Sequence, residues 1–462
     1  MSQQQFTIRS ADNPRVIYIA ACIASLGGVF FGYDLAVISG AILFIKKQFA
    51  LSSTMEELVT SSSLIGGLIG ALLGGTLADS LGRRRVLILI TFIAILGDIG
   101  SALSQNLAWL IIARVVSGTA FGMASVTITL YIAEISPAKL RGLLVSFSTL
   151  TITSGILIAS LSAYGFSKSE NWRFMFALGA VPAFIQGIGM LFLPESPRWL
   201  AKHGLIDKAK SILVYFRGTE AVDNEMQEIN NSLVKQGRTW SELLGPAVRT
   251  ALIVGTSLAI FRSITGFSIV LSYAPTIFQF AGFKSASVDL LATVGLGVTY
   301  VVFTLVVLRL IDHVGRRPLL LTGLLGMVLC QVILGLAFYL SNRTNLVGLV
   351  AVISLILIAA FYTIGPGAVI FLMISEIYPL KIRGLAMSIA TTALWGSYWV
   401  TTSTFLTLIK YLGEPRTFWL YAFIGFAAWL FVYFLLPETK GRSLEEIEGH
   451  WRVDKHSPIT AK

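Results

Sequence analysis

Read for hydrophobicity alone, the chain is a succession of apolar runs separated by short polar connections. Twelve runs match the about 20 residues that an α-helix needs to cross a bilayer. They lie at 16–38, 58–78, 86–105, 109–132, 144–166, 172–193, 248–272, 287–310, 318–340, 347–372, 384–409 and 416–436. Each predicts one membrane-spanning helix, and together they predict an all-α polytopic membrane protein. Composition agrees. Of the 462 residues 55% are hydrophobic and 13% charged, whereas soluble domains carry about 25% charged residues. The first 15 residues are polar, and no cleavable signal pattern precedes the first span.

The net charge of +11 would suggest a polyanionic partner in a soluble protein. Here its distribution says otherwise. Lys and Arg gather in the connections that follow even-numbered spans: GRRR at 82–85, PAKLRG at 137–142, the 194–247 segment, GRRP at 315–318 and KIRG at 381–384. The connections on the other face hold fewer. By the positive-inside rule the basic set is cytoplasmic, so both termini are expected inside. The charge encodes topology, and no nucleic acid partner is implied.

Cys22 and Cys330 fall in separate apolar spans and suggest neither a disulfide nor a metal site. His203, His313, His450 and His456 all lie outside the spans. No nucleophile–base or metal-ligand cluster appears, so an enzyme is not expected, nor a catalytic site, metal or cofactor. A channel is disfavoured too, because no pore-loop or ring-of-charge pattern is present.

Three signatures occur twice. Asp79-Ser-Leu-Gly-Arg-Arg-Arg returns as Asp312-His-Val-Gly-Arg-Arg-Pro. Glu134-Ile-Ser-Pro-Ala-Lys-Leu-Arg-Gly returns as Glu376-Ile-Tyr-Pro-Leu-Lys-Ile-Arg-Gly. Pro194-Glu-Ser-Pro-Arg-Trp is matched by Pro437-Glu-Thr-Lys-Gly. The order is the same and each pair is six spans apart, so the chain is a duplicated six-helix unit. Many secondary transporters are built from such parallel repeats, with the substrate at midplane between them. The division expected is a tail at 1–15, bundles at 16–193 and 248–436, a cytoplasmic linker with short amphipathic helices at 194–247, and a tail at 437–462. The repeated signatures put carboxylates and guanidiniums at adjacent helix ends: Asp79, Arg83, Arg84, Glu134 and Arg141 in one half, Asp312, Arg316, Glu376 and Arg383 in the other. Topology alone needs no carboxylates there. Bidentate Arg–carboxylate pairs would form an inner gate that breaks when the cytoplasmic side opens.

These motifs, with Pro437-Glu-Thr-Lys-Gly-Arg-Ser-Leu-Glu-Glu-Ile-Glu, resemble the sugar porter family of the major facilitator superfamily from about residue 17 to 450. The short tails and external loops are most similar to its bacterial proton-coupled symporters. The resemblance implies a twelve-helix fold in two pseudo-symmetric halves, an inner-membrane location, and import of a small hydrophilic solute with H+ by a protein that works as a monomer in the bilayer.

Two spans carry charges that are expensive in lipid. Span 1 reads GGVFFGYDLAVISGA, with Asp34 inside it, and span 4 places Arg114 near its outer end. Each alone is costly, so the two are expected to pair. A protonated Asp34 would release Arg114 and an ionised one would recapture it. In the proton-coupled family members an Asp and an Arg occupy these places. The plainer alternative is a static buried ion pair. Asp98 in span 3 is a further carboxylate to which the resemblance assigns no role.

Sugar sites need amides and hydroxyls on otherwise apolar walls. Family members typically carry Gln-Gln-x-x-Gly-x-Asn and then Tyr-Tyr-Ala-Pro in span 7. Here Arg262 and Ser263 hold the two Gln places, Ser268 the Asn place, and Ser272-Tyr273 the Tyr pair. Phe371 stands where Trp is usual in span 10. Leu394 replaces an amide before Trp395, and Phe31 lies beside Asp34 in the chain. Arg262, Ser263, Ser268, Tyr273, Phe371, Trp395 and Phe31 are therefore the expected lining. A guanidinium offers five donors and no acceptor, which suits a carboxylate or phosphate better than a polyol. A proton-driven sugar or polyol importer is expected. The alternatives are an organic anion or sugar acid carried through Arg262, and a non-transporting sensor with an eroded sugar site.

Overall fold

The computed structural model describes residues 14–219, 221–234, 246–340, 345–378 and 383–440. Most of both expected tails lies outside the described residues. The first half contains α1 (Pro14–Phe49), α2 (Ser53–Leu81), α3 (Arg83–Ala102), α4 (Leu107–Ile135), α5 (Ala138–Gly165) and α6 (Trp172–Phe192). Three short helices follow: α7 (Pro197–Lys202), α8 (Ile206–Arg217) and α9 (Asp223–Val234). The second half comprises α10 (Pro246–Ile264), α11 (Phe267–Phe280), α12 (Ala286–Val314), α13 (Arg316–Tyr339), α14 (Asn345–Tyr362), a π-helical turn at Thr363–Gly367, α15 (Ala368–Ile377) and α16 (Arg383–Leu435).

The helices outrun the apolar runs, because capping and charged residues extend them past the hydrocarbon. α1 has 36 residues, about 54 Å at 1.5 Å per residue, and carries Lys46 and Lys47 in its last turn. Asn106 starts α4 by accepting from the Trp109 N–H at 2.9 Å, as N-cap asparagines do. Two spans are interrupted, and a third break separates two spans that share one helix. Gly266, at φ 99°, separates α10 from α11 within span 7. Pro366 lies in the π turn between α14 and α15 of span 10. α16 holds spans 11 and 12 and is broken at Gly413. Phe92, Phe184, Phe423 and Phe434 are each more than half exposed, a surface suited to lipid rather than water.

The duplicated motifs fold alike. Gly82 (φ 100°, ψ 153°) joins α2 to α3, and Gly315 (φ 105°, ψ 163°) joins α12 to α13. Such backbone is essentially restricted to glycine. At the first turn, the Arg84 N–H donates to Glu195 at 3.0 Å. At the second, the Arg316 and Arg317 N–H groups donate to Glu438 at 3.1 and 3.0 Å. Each glutamate of the Pro-Glu signature thus caps a helix N-terminus, where a negative charge also suits the helix dipole.

α1 packs on α5, α4 and α6, and α2 on α4; in the second half α13 packs on α16 and α14, and α10 on α16. Between halves, α2 meets α16, α5 meets α12, and α1 meets α11. The polar bridges across this interface lie beyond the Asp34 level, toward the end of α1 that carries Lys46 and Lys47. Glu57, 3% exposed, accepts from the Thr407 backbone N–H at 2.6 Å and its hydroxyl at 2.7 Å. Ser167 and Ser287 share a hydrogen bond of 3.2 Å. Close helix approach rests on small residues here: a Cβ at Gly297 would lie 2.9 Å from the Leu157 Cα.

Two outcomes follow from these joints. Gly82→Ala combines the forbidden backbone region with a Cβ 2.3 Å from Glu195 Oε2 and is expected to cost about 1–3 kcal/mol. The detergent-solubilised variant should melt earlier, whereas Gly75→Ala, with open space around it, should not. Glu57→Ala removes hydrogen bonds to a charged group, worth about 1.5–3 kcal/mol, and should shift the closed-to-open ratio of this side roughly 10- to 150-fold toward open. In Ser167→Cys protein lacking Cys22 and Cys330, an impermeant thiol reagent should then react faster; an unchanged rate would refute a closing role for the Glu57–Thr407 bridge.

Candidate functional site

α1 and α4 cross so that Asp34 and Arg114 meet in the core of the first half. Asp34 is 1% exposed and Arg114 fully buried. Arg114 Nη1 donates to Asp34 Oδ1 at 2.5 Å, and Nη2 donates to the Asp34 carbonyl at 3.1 Å and to Ser63 Oγ at 3.0 Å. The Ser117 hydroxyl donates to Asp34 Oδ2 at 3.3 Å. The Phe176 ring lies 5.1 Å from the guanidinium carbon. The expected pair therefore exists, each charge held by its partner and by hydroxyls, as desolvated charges require. Protonating Asp34 would remove the charge that binds Arg114 and leave the guanidinium seeking another acceptor.

Toward the second half, the rings of Phe31 (α1), Phe121 (α4) and Trp395 (α16) form a cluster. Phe31 stacks on Phe121 at 5.6 Å, and Trp395 is 5.9 Å from Phe31 and 5.2 Å from Phe121. α2 passes this cluster at Gly67, where a Cβ would fall 2.7 Å from the Phe121 ring. The buried Trp395 Nε1–H finds no acceptor among the described residues. An indole N–H aimed into a core normally has one, so it is available to a solute hydroxyl.

The other expected lining residues are largely committed to holding the chain. The Ser263 hydroxyl donates to the Leu394 carbonyl at 3.2 Å, and that of Ser268 donates to the Ser263 carbonyl at 3.0 Å across the Gly266 break. The Tyr273 hydroxyl donates to the Thr402 carbonyl at 3.0 Å. Arg262 turns toward span 10. Its Nε donates to the Tyr362 hydroxyl at 3.1 Å, its Nη2 donates to the Gly367 carbonyl at 3.2 Å, and its guanidinium lies 4.5 Å above the Phe371 ring. It meets neither Asp34 nor Asp98, both of which sit in the first half, and no described carboxylate pairs with it. Arg262 thus braces the π turn while remaining partly accessible.

At the helix ends that carry the repeated motifs, Arg83 bridges Asp79 at 3.1 Å and Glu134 at 2.9 Å, and Lys202 of α7 reaches Asp79 at 3.1 Å. Ser196 donates to Glu134. The Arg84 guanidinium binds the Met190 and Leu191 carbonyls of α6, and Arg141 binds the Ala133 carbonyl. In the second half Arg316 approaches Glu376 at 3.6 Å. None of these contacts joins the two halves; those of Ser196 and Lys202 tie the start of the linker to the first half. The side chains of Asp312 and Arg383 lie outside the described residues.

Several contributors were not singled out from sequence. Glu195 and Glu438 belong to a repeated motif, so the repeat itself was their signal. Gln331 Nε2 donates to the Thr265 carbonyl at 2.7 Å, capping the break in span 7; as a lone amide in an apolar span it gave a weak signal. Glu57 sat just outside a predicted span and offered none.

A family model described as "Sugar (and other) transporter" matches residues 20–451. An arabinose-proton symporter of Bacillus subtilis is 37% identical, over 94% of this chain and 95% of its own. A D-xylose transporter of Levilactobacillus brevis is 38% identical, over 93% and 94%. Among solved structures, the inward-open xylose transporter XylE of E. coli aligns with a TM-score of 0.82 at 31% identity, covering 94% of this chain and 100% of that one. With the fold, the duplicated helix caps and these matches in agreement, the chain belongs to the sugar porter family of the major facilitator superfamily, and it is a membrane transporter, not an enzyme.

Proposed function

We propose that the protein is a proton-coupled symporter that imports a sugar or related small polyol by alternating access. The observation that carries this reading is the Asp34–Arg114 pair, fully buried and one helix turn from the aromatic cluster between the halves. A carboxylate that exchanges a salt bridge for a proton ties the position of α1 and α4 to the proton gradient. Phe31, Phe121 and Trp395 offer ring faces to a pyranose or furanose, and the Trp395 N–H offers a donor. Relatives of similar length are named as sugar–proton symporters, which supports the same chemistry here.

In the proposed cycle, solute and proton bind from outside, Asp34 releases Arg114, and the halves rock about the central site. Glu57 and Thr407 then close the outer side. On the inner side the Arg83–Glu134 and Arg316–Glu376 groups, with Asp312 and Arg383, act as the gate. The working unit is a monomer in the bacterial inner membrane, with both termini in the cytoplasm. A second reading has one observation in its favour. Arg262 is partly accessible and has no carboxylate partner among the described residues, as a site for an organic anion or sugar acid would require.

Two experiments test these statements. In vesicles with an imposed gradient, solute accumulation should rise as the outer pH falls, because protonated Asp34 is the form that moves. Asp34→Asn should abolish uphill accumulation while leaving exchange of solute across the membrane; accumulation insensitive to both pH and the substitution would sink symport. Counterflow with sugars and sugar acids in wild type and Arg262→Gln separates the two substrate readings. If an anion is the cargo, the variant loses a charge-assisted contact and binds it roughly 10- to 150-fold more weakly. If a polyol is the cargo, sugar counterflow persists.

A further inference from the structure

A groove between α13 and α16 faces the bilayer. The two helices touch at glycines on either side of it: a Cβ at Gly425 would stand 2.9 Å from Val328 Cγ2, and one at Gly335 would meet the Trp419 indole nitrogen at 2.4 Å. Between these contacts the groove holds about 420 Å³ and is lined by Val328, Val332, Trp419, Ala422, Phe423 and Phe426. Val328 and Ala422 are buried at its floor, while Val332, Phe423 and Phe426 stand exposed at its rim. Its side chains carry one polar group, the Trp419 indole N–H, and this donates to the Val332 carbonyl at 3.3 Å. At this level an occupant must be apolar.

On both helices the same face leads to a cation. On α13, Val328 and Val332 lie about three and four turns beyond Arg317. On α16, Phe426 and Trp419 lie about two and four turns before Tyr433. Arg317 and Tyr433 meet there: Nη2 donates to the Tyr433 carbonyl at 2.6 Å, and the guanidinium carbon lies 5.8 Å from the Tyr433 ring. Among the described residues that is the one hydrogen bond of the half-buried Arg317 side chain, and no described carboxylate pairs with it. Its neighbour Arg316 approaches Glu376, and Glu438 is committed to the backbone N–H groups of both arginines. Lys440, at the same end, also sets its ammonium on a carbonyl, that of His313, at 2.6 Å. A carbonyl supplies a dipole but no counter-charge, so the positive charge of Arg317 is left uncompensated.

We propose that this face binds an anionic phospholipid of the leaflet on the side of the repeated motifs, with its phosphate on Arg317 and an acyl chain in the groove. The depth fits. From Tyr433 to Phe423 is about 15 Å along α16, and half of a hydrocarbon core about 30 Å thick is the same length. A chain whose headgroup sits at Arg317 therefore brings its far end into the groove. The charge fits as well. A guanidinium matches phosphate oxygens with paired donors, and basic pockets at the ends of spans suit anionic headgroups. A zwitterionic headgroup would bring its own cation to a place that is already positive. The bound lipid ties span 9 to span 12, apart from the solute site and whatever ion drives transport.

Lipids brominated near the end of the acyl chain quench tryptophan on contact, and Trp419 marks the groove. Its emission is read as the difference between wild type and Trp419→Phe in mixed micelles. Brominated phosphatidylglycerol should quench this component at about fivefold lower mole fraction than brominated phosphatidylcholine, the share of one arginine facing anionic lipid. Arg317→Gln should make the two lipids equal. About 1 M salt, which screens charge beyond about 3 Å, should do the same to the wild type and keeps the test open if the variant fails to fold. Equal quenching by both lipids in the wild type at low salt would mean ordinary boundary lipid and would overturn the proposal. A preference that survives Arg317→Gln or the salt would overturn it as well, and so would a Trp419 component that neither lipid quenches.

Discussion

A guanidinium that cannot lose its proton, held with no exposure in a lipid-embedded core, constrains everything around it. Arg114 must have an anion, and Asp34 is the one it has. To reach it, α1 and α4 must approach closely, while α4 is held against α2 where a Cβ at Gly118 would lie on the Ser63 backbone. Ser63 and Ser117 fill the remaining hydrogen-bonding positions. The pair is weak evidence for stability as such, since burying two charges costs about what their attraction returns. Its value in the proposed cycle lies in the proton that can replace the bond to Arg114.

The two halves meet this demand differently. The first half holds the charges in its core. The second is interrupted in spans 7 and 10, at Gly266 and at the π turn of Thr363–Gly367. Such interruptions free backbone groups, which membrane proteins tolerate only where protein or a cavity satisfies them. Gln331, Ser268 and Arg262 do so here. Arg262 is thus explained first by the carbonyl and the ring it braces.

Much of this was legible in the sequence. Apolar runs of bilayer length and the doubled motifs gave twelve spans in two halves, and the cost of a lone charge paired Asp34 with Arg114 before any geometry was known. Helix ends were less legible, because capping residues such as Ser52 and Asn106 carry α2 and α4 beyond the apolar stretch. The individual roles of Ser263, Ser268 and Tyr273 were not legible either. Their hydroxyls satisfy backbone carbonyls, and which carbonyls need satisfying depends on where the helices break. Glu57 shows the same limit: a carboxylate whose partner is a backbone N–H 350 positions away leaves no pattern.

The two glutamate caps also bear on how the chain is made. The first turn of α3 is closed by Glu195, more than a hundred positions downstream, and that of α13 by Glu438, just past the last span. During synthesis neither turn can be completed until the six-helix unit containing it has left the ribosome. Each half therefore carries its own completion signal at the end where its repeated motifs lie, and Glu438, just past the last span, is part of the folded second half rather than of an appendage to it.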